Sequence, residues 1–393
     1  MPWLEVSPMD EKARFVSDAR SGRHSFSELC RRYGISRKTG YKWLRRATNG
    51  GTSALSDRSR RPRSTADSTT PQVVQALLKT RARHPTWGAK KLLAFLARKH
   101  PDWTLPAKST AHDILKRHGL VPTPRTRRRR AHPGRPLTGF TAPNRIWTAD
   151  FKGHFKTRDG VYCYPLTVQD GHSRFLLECR GLEGTRIEPT KRVFKRLFAT
   201  YGIPERIRTD NGVPFASMAL GRLSQLSVWW IELGIMPELI EPGKPQQNGR
   251  HERMHRTLKA HTARPPAANL RAQQRLFDAF REEFNCERPH EALRMKVPAE
   301  LFRPSDRPYP KHLKSFVYPG HYEVRKVSTN GGVRWNAAWV WVSHILGGRY
   351  VGFVEVDYQA WDVYFGPILL GRFFEKTGRI LDSRGYVMRN PKA

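Results

Sequence analysis

The stretch "RTDNGVPF", Arg208 to Phe215, joins the end of a strand-like run to a sharp turn and puts an acid, Asp210, at the junction. Asp is depleted within strands and Asp-Asn-Gly is a turn signal, so taken alone Asp210 reads as a loop residue capping its own backbone. A chemical role requires partners elsewhere. Asp150 ends the run "RIWTAD", and Glu252 opens a helical pattern after the loop "EPGKPQQNG". Acids at the ends of regular elements can converge at one edge of a sheet, where they repel one another unless a cation stands between them. A hard, oxygen-liganded divalent ion suits that donor set, and two such ions can hold the attacking and leaving oxygens of a phosphoryl displacement.

Working outward, "RIWTADFKGHF", a "TRDG" turn, "VYCYPLTVQDG" and "SRFLLECRGL" read as an antiparallel meander. Helical "TKRVFKRLFATYG", the strand "RIRTD", helical "LSQLSVWWIEL", the strand "MPELI" and the helices "RHERMHRTLKAH" and "NLRAQQRLFDAFREEFN" follow. Strands followed by alternating helix and strand predict a mixed α/β sheet with helices on its faces over residues 140–305. Residues 306–393 are rich in Trp, Val and Gly in short alternating runs, which predicts a small β-barrel that also grips DNA.

The N-terminal part is helical. Over residues 1–50, Ser7 caps a helix with Pro8 in its first turn, Ser25 and Glu28 form a capping box, Gly34 ends that second helix and Ser36 caps a third. This reads as a helix-turn-helix with Leu29, Tyr33, Ile35 and Leu44 in its core. Arg37, Lys38, Thr39 and Lys42 are then free to face a major groove, against the plainer alternative of a solvated basic face. Residues 51–70 are a polar linker, 71–122 a second helix-turn-helix, and 123–139 a basic linker whose Arg127, Arg128, Arg129 and Arg130 should track phosphates.

Composition agrees with a polyanionic partner. Among 393 residues, 71 Lys and Arg stand against 34 Asp and Glu, a net charge of +37. No apolar run is long enough to span a bilayer and no signal peptide is apparent, so a cytoplasmic protein with no membrane association is expected. Cys30, Cys163, Cys179 and Cys286 are scattered, without the Cys-x-x-Cys spacing of a zinc site or the pattern of a disulfide framework.

"WTADFKG", "RTDNGVPFAS" and "PGKPQQNGRHERMHRTLK" resemble the catalytic core of the DDE transposases of bacterial insertion sequences, relatives of retroviral integrases with an RNase H-like fold. The helical N-terminal half and "FNCERPHEALRMKVPAELF" fit the same resemblance. It implies that Asp150, Asp210 and Glu252 are the catalytic, metal-binding triad, holding two Mg²⁺ or Mn²⁺ ions. It also implies double-stranded DNA as partner, at element ends and target, and a homo-oligomer, dimeric or larger, on that DNA. Arg256 and Lys259, four and seven residues after Glu252, share its helical face and would hold the DNA end. The interval between Asp210 and Glu252 is somewhat longer than is usual in that family, which leaves Glu241 a rival for the third position.

Other readings compete. "HERMH", His251 to His255, matches the His-Glu-x-x-His pair of zinc metalloproteases, but the cationic helix around it suits phosphates better. Asp170 in "QDGHSR" could be a fourth acid, though an Asp-Gly turn is the simpler role, and Arg174 should pair with an acid or a phosphate. An inactive or domesticated copy would be a DNA-binding regulator. A plain nuclease would have little use for two helix-turn-helix units.

Overall fold

The computed structural model describes residues 7–57, 69–121, 138–241, 244–313 and 315–382. The chain divides into two units, 1–68 and 69–393. Arg127, Arg128, Arg129 and Arg130 lie outside the described residues.

In the first unit, α1 (Pro8–Ser21), α2 (Phe26–Arg32) and α3 (Arg37–Gly50) each begin at a serine. The hydroxyls of Ser7, Ser25 and Ser36 accept the backbone N–H groups of Asp10, Glu28 and Thr39 at 3.2, 3.3 and 3.2 Å, satisfying donors that the first helical turn leaves open. The Ser25 cap is one-sided: no return bond from Glu28 accompanies it among the described residues. Gly34 takes φ 61 after α2, as a left-handed helix stop requires. Phe15, Val16, Leu29, Cys30, Trp43, Ala47 and Leu55 fill the core, with Tyr33, Ile35 and Leu44 at its rim. Leu55 is fully buried from a short 3-10 turn, Thr52–Leu55, so packed structure continues past residue 50, where linker was expected. At Gly40 a Cβ would stand 2.7 Å from Cys30 Sγ and 2.9 Å from the Phe15 ring, so glycine allows α3 its close crossing.

The second unit opens with α4 (Pro71–Arg83), α5 (Ala89–Lys99) and α6 (Lys108–Arg117), packed around Leu77, Trp87, Leu92, Leu96, Ala111 and Ile114. A mixed sheet follows. Its antiparallel part is β1 (Ile146–Phe151), the two-residue β2 (Phe155–Lys156), β3 (Tyr162–Asp170) and β4 (Leu176–Leu182). After α7 (Ile187–Tyr201), β5 (Arg206–Thr209) pairs parallel to β1, and after α8 (Gln225–Glu232), β6 (Met236–Leu239) pairs parallel to β5. β3 is flanked by β4 on one side and β1 on the other, giving the order β4-β3-β1-β5-β6 with β2 on the outer end of β3.

Helices cover both faces, which is why β1 and β3 read as buried runs rather than alternating ones. On one face Phe194, Leu197, Phe198, Leu226 and Trp230 pack on Trp147, Ala149 and Ile207. On the other, α9 (Gly249–Thr262) and α10 (Leu270–Glu282) pack through Met254, Leu258, Phe277 and Phe280. A single π-type turn, Glu283–Glu287, extends α10 before the short α11 (Pro298–Leu301). That π-turn receives the three-helix bundle: His84 Nδ1 lies 3.0 Å from Glu283, Arg83 reaches Glu287 at 3.0 Å, and Arg98 donates to the carbonyls of Cys286 and Glu287 at 3.1 and 3.0 Å.

The C-terminal part departs from the expected barrel. β7 (Glu323–Lys326), β10 (Tyr350–Asp357), β11 (Ala360–Phe365), β12 (Ile368–Phe374) and β13 (Arg379–Leu381) form an open sheet, while β8 (Gly332–Trp335) and β9 (Ala338–Trp341) form a separate hairpin. The two share one core, in which Trp335 meets Phe353 and Phe373, but no hydrogen-bonded ladder among the described residues closes the sheet on itself. No described helix is long and apolar enough to cross a membrane.

Candidate active site

The register of two parallel strands does the first positioning. Ala149 of β1 stands opposite Thr209 of β5, so the next residue on each, Asp150 one residue before the end of β1 and Asp210 just past β5, stands at the same level near the carboxyl ends of the two strands. Open α/β sheets bind ligands at such ends. Asp210 follows the strand into the turn, where its Oδ1 accepts the Gly212 N–H at 3.2 Å. The turn-capping role suggested by Asp-Asn-Gly is therefore present as well.

The third acid arrives on α9. The helix turns His251, Met254, His255, Leu258 and Thr262 inward, an i, i+3, i+4, i+7 stripe, and leaves Glu252, Arg256 and Lys259 exposed along its outer face. An open cleft of about 870 Å³ is lined by Asp150, Lys152, Glu252, Arg256, Lys259 and Arg264. Asp210 does not line it and is linked to Asp150 by charge repulsion. Burial, then the Asp210 charge, and to a lesser extent Glu252, push the Asp150 carboxyl up to about 7, with Lys152 opposing. Among the described residues no group of three or more His, Cys, Asp and Glu side chains stands closely enough to hold a metal ion. The donor chemistry suits a hard divalent cation, and Asp150 is raised first by its burial and next by Asp210, which Lys152 only partly offsets.

The histidines of "HERMH" lie beneath these acids. His251 Nδ1 lies 2.8 Å from the Thr148 hydroxyl, and the Nε2 atoms of His251 and His255 both lie 2.6 Å from the Thr167 hydroxyl. Thr148 and Asp150 point to the same face of β1, and Thr167 is the cross-strand partner of Asp150. Thr167 Oγ1 also lies 3.1 Å from the Asp150 carbonyl, and its single proton goes either there or to one imidazole, so with both histidines neutral at least one of the two Nε2 atoms donates to Thr167. His255 Nδ1 lies 3.6 Å from Asp150 Oδ2. Burial holds His251 down to about 3 and His255 well below its usual range, so both are neutral. The pair is hydrogen-bonded filling between helix and sheet, and no third ligand approaches it among the described residues.

Other candidates fall elsewhere. Glu241 binds Lys244 and accepts from Gln247 Nε2 at 2.9 Å, bracing its own loop. Asp170 is buried and accepts from Asn144 N, Ser173 N and Ser173 Oγ at 2.8, 2.7 and 2.5 Å, which makes it the organiser of its turn. Arg174 lines a separate basic pocket with Arg250, Arg253 and Arg288.

On α3 of the first unit, Arg37, Lys38 and Lys42 are exposed, whereas Thr39 turns its hydroxyl back to Ser36 at 3.0 Å. A groove along this helix adds Tyr41, Arg45 and Arg46 to Lys38 and Lys42. The sequence reading missed them, although Lys38, Lys42 and Arg45 follow helical spacing. It also missed Lys152 and Arg264 at the acid cleft, single cations in unremarkable sequence.

Residues 141–245 and 233–298 match integrase core domain families, residues 11–63 a helix-turn-helix domain and residues 39–115 a homeodomain-like domain. An uncharacterized 31.7 kDa protein of insertion element IS407 from Burkholderia multivorans is 29% identical over 165 residues, 41% of this chain and 56% of that protein. An uncharacterized 39.2 kDa protein of insertion element IS476 from Xanthomonas euvesicatoria is 28% identical over 42% of this chain and 46% of its own length. The Pol polyprotein of radiation murine leukemia virus is 30% identical over 30% of this chain and 19% of its own length. The chain thus spans about half the length, or less, of the curated relatives it matches. The HTLV-2 integrase catalytic core, solved in complex with magnesium, superposes at a TM-score of 0.33 and 17% identity over 42% of this chain and 99% of that one, a likeness too loose to carry weight. Residues 141–298 thus carry an integrase core domain and residues 11–63 a helix-turn-helix domain, and the chain is similar over about two fifths of its length to two proteins of bacterial insertion elements.

Proposed function

We propose that the chain binds the terminal repeats of a mobile DNA element, hydrolyses a phosphodiester at the element end and directs the freed 3′-hydroxyl at target DNA. What supports this reading is that Asp150 and Asp210 are level on neighbouring parallel strands while Glu252 lines one cleft with Asp150 among cations that suit a phosphate. Asp150, Asp210 and Glu252 stand too far apart in this structure to share an ion and would have to draw together to hold Mg²⁺ or Mn²⁺, two ions in the family resemblance; such ions when bound supply charge stabilisation at the attacking and leaving oxygens. The chain's own residues do the rest. Lys152 favours the ionised form of Asp150, and the Thr167 hydroxyl, 3.1 Å from the Asp150 carbonyl, ties the backbone of that residue to β3. Arg256, Lys259 and Arg264 present cations along the cleft, where they can position a phosphate before reaction. Arg37, Lys38 and Lys42 would approach base edges and phosphates of the repeat, with the C-terminal sheets adding backbone grip. An assembly of two or more copies follows from the need to join two ends in one event.

The test is single substitution to the amide. Asp150→Asn, Asp210→Asn and Glu252→Gln should each abolish metal-dependent nicking of end DNA and leave duplex binding nearly intact. Activity surviving in Glu252→Gln and lost in Glu241→Gln would move the third ligand to Glu241. Wild-type protein that binds ends with no nicking in either metal would be a regulator.

A further inference from the structure

The flank of α9 turned away from the acid cleft borders a second concavity, of about 340 Å³. Arg250 and Arg253 reach it from α9, Lys91 from α5, Arg174 from the turn after β3 and Arg288 from the segment after α10. Arg256 lines both this pocket and the acid cleft. The lining holds one carboxylate, Glu291, and Lys90 already pairs with it at 3.5 Å. Arg288 Nε is buried without a hydrogen-bond partner among the described residues, as is Nε2 of His290, a residue 8% exposed. A buried guanidinium N–H left without an acceptor is costly, and so is crowding like charges in a half-enclosed space. Burial, and next the neighbouring Arg288, push Lys91 down to about 8, the direction a missing counter-anion gives. Arg174 is held in the left-handed region at φ 62, its backbone fixed by bonds to Asp170 O at 3.0 Å and from Gln169 Nε2 at 2.9 Å. Such conformations persist in non-glycine residues where the surroundings enforce them. The cations thus converge from four chain segments on a space that protein acids leave unneutralised.

We propose that this pocket receives a phosphate of the DNA backbone, a second anchor beside the acid cleft to which Arg256 connects it. The choice of DNA as the phosphate's source rests on the proposed function; the affinity for phosphate does not. A guanidinium offers paired N–H groups to phosphate oxygens, which suits arginine over lysine for most of the lining.

The experiment uses the full chain without metal. Its melting temperature is measured in sodium phosphate and in sodium chloride at equal ionic strength, and duplex affinity is followed against salt. Arg253→Gln, at an exposed helical position, is the main variant, and Lys91→Gln the second. Phosphate should raise the wild-type melting temperature by a few degrees, with most of that rise lost in both variants. The slope of log affinity on log salt should fall by about 0.9 in each, the value for one phosphate contact. A phosphate effect that persists in both variants overturns the pocket. An effect lost in the variants with an unchanged salt slope overturns the assignment to DNA and leaves free phosphate as the ligand. Cleavage that survives Asp150→Asn refutes the proposed function without touching the pocket, whose phosphate effect needs neither metal nor cleavage.

Discussion

Replacing Asp150 by asparagine in metal-free protein should stabilise the sheet, and more so at higher pH. The Asp150 carboxyl is raised from 3.8 to about 7, and its side chain is 18% exposed, so solvent screens it little. For an acid whose folded pKa is raised, the unfolded chain ionises first. The folded state is therefore penalised above the unfolded value, increasingly until pH passes the folded value, where the penalty levels off. With about 1.4 kcal/mol per unit, the penalty that Asp150→Asn removes is about 4 kcal/mol at pH 8, about 2 at pH 5 and almost nothing near pH 3. Amide hydrogen exchange of β1 and β5 reads this locally, without treating a chain of several domains as one two-state transition. At pH 8 the variant's β1 amides should be protected up to about a thousandfold beyond wild type, and at pH 5 about tenfold, compared at equal pH so that intrinsic rates cancel. Adding Mg²⁺ should protect the wild type and leave the variant unmoved. Equal protection at pH 8 without metal, or a difference that does not shrink towards pH 5, would refute the claim that burial and the other acids load Asp150.

Three further outcomes follow from packing. Thr167→Val removes the hydroxyl shared by His251 and His255 and should destabilise the sheet by about 1–3 kcal/mol for each buried nitrogen left unpaired, read by exchange of β3 amides. Gly171→Ala would drive a Cβ to 1.9 Å from the Phe140 ring, which lies under the guanidinium groups of Arg208 and Arg250; it should cost about 1–3 kcal/mol and speed proteolysis next to Phe140. Leu55→Ala should cost the first unit about 2–5 kcal/mol and weaken end binding through unfolding of α1–α3, seen as lost helical circular dichroism; an unchanged melt would return residue 55 to the linker.

The acids were legible as ends of elements because strand alternation and the Asp-Asn-Gly turn are local signals. Their common level was not, since it depends on Ala149 meeting Thr209, a long-range pairing that no window of sequence contains. The histidines of "HERMH" looked like ligands at helical spacing. Only the threonines of two other strands, Thr148 and Thr167, reveal them as buried hydrogen-bonding groups. In the first unit the caps at Ser7, Ser25 and Ser36 were readable from adjacent residues, but Trp43 and Leu55 enter the core through the crossing of α1 and α3, which depends on Gly40. The alternation after residue 308 announced strands correctly and said nothing of closure, because closure requires the first and last strands to meet. The basic pocket was hidden for the same reason: its cations come from segments around residues 91, 174, 253 and 288.

The junction between the three-helix bundle and the π-turn after α10 has a practical bearing on how such a protein is assayed. The described contacts there are ion pairs and hydrogen bonds: Arg83 with Glu287, His84 with Glu283, Lys90 with Glu291, Arg98 with Glu300. Pairs with exposed members weaken as mobile ions screen them, over the same concentrations that strip a cationic protein from a duplex. Salt would then act twice, once on the nucleic acid and once inside the polypeptide by letting the bundle swing from its seat. A titration interpreted as a count of displaced counterions would contain a share belonging to this internal hinge. That share can be isolated by neutralising Glu287 and Glu283 together in a Lys91→Gln background, which loosens the seat at every salt concentration after removing the one pocket cation that the bundle itself carries.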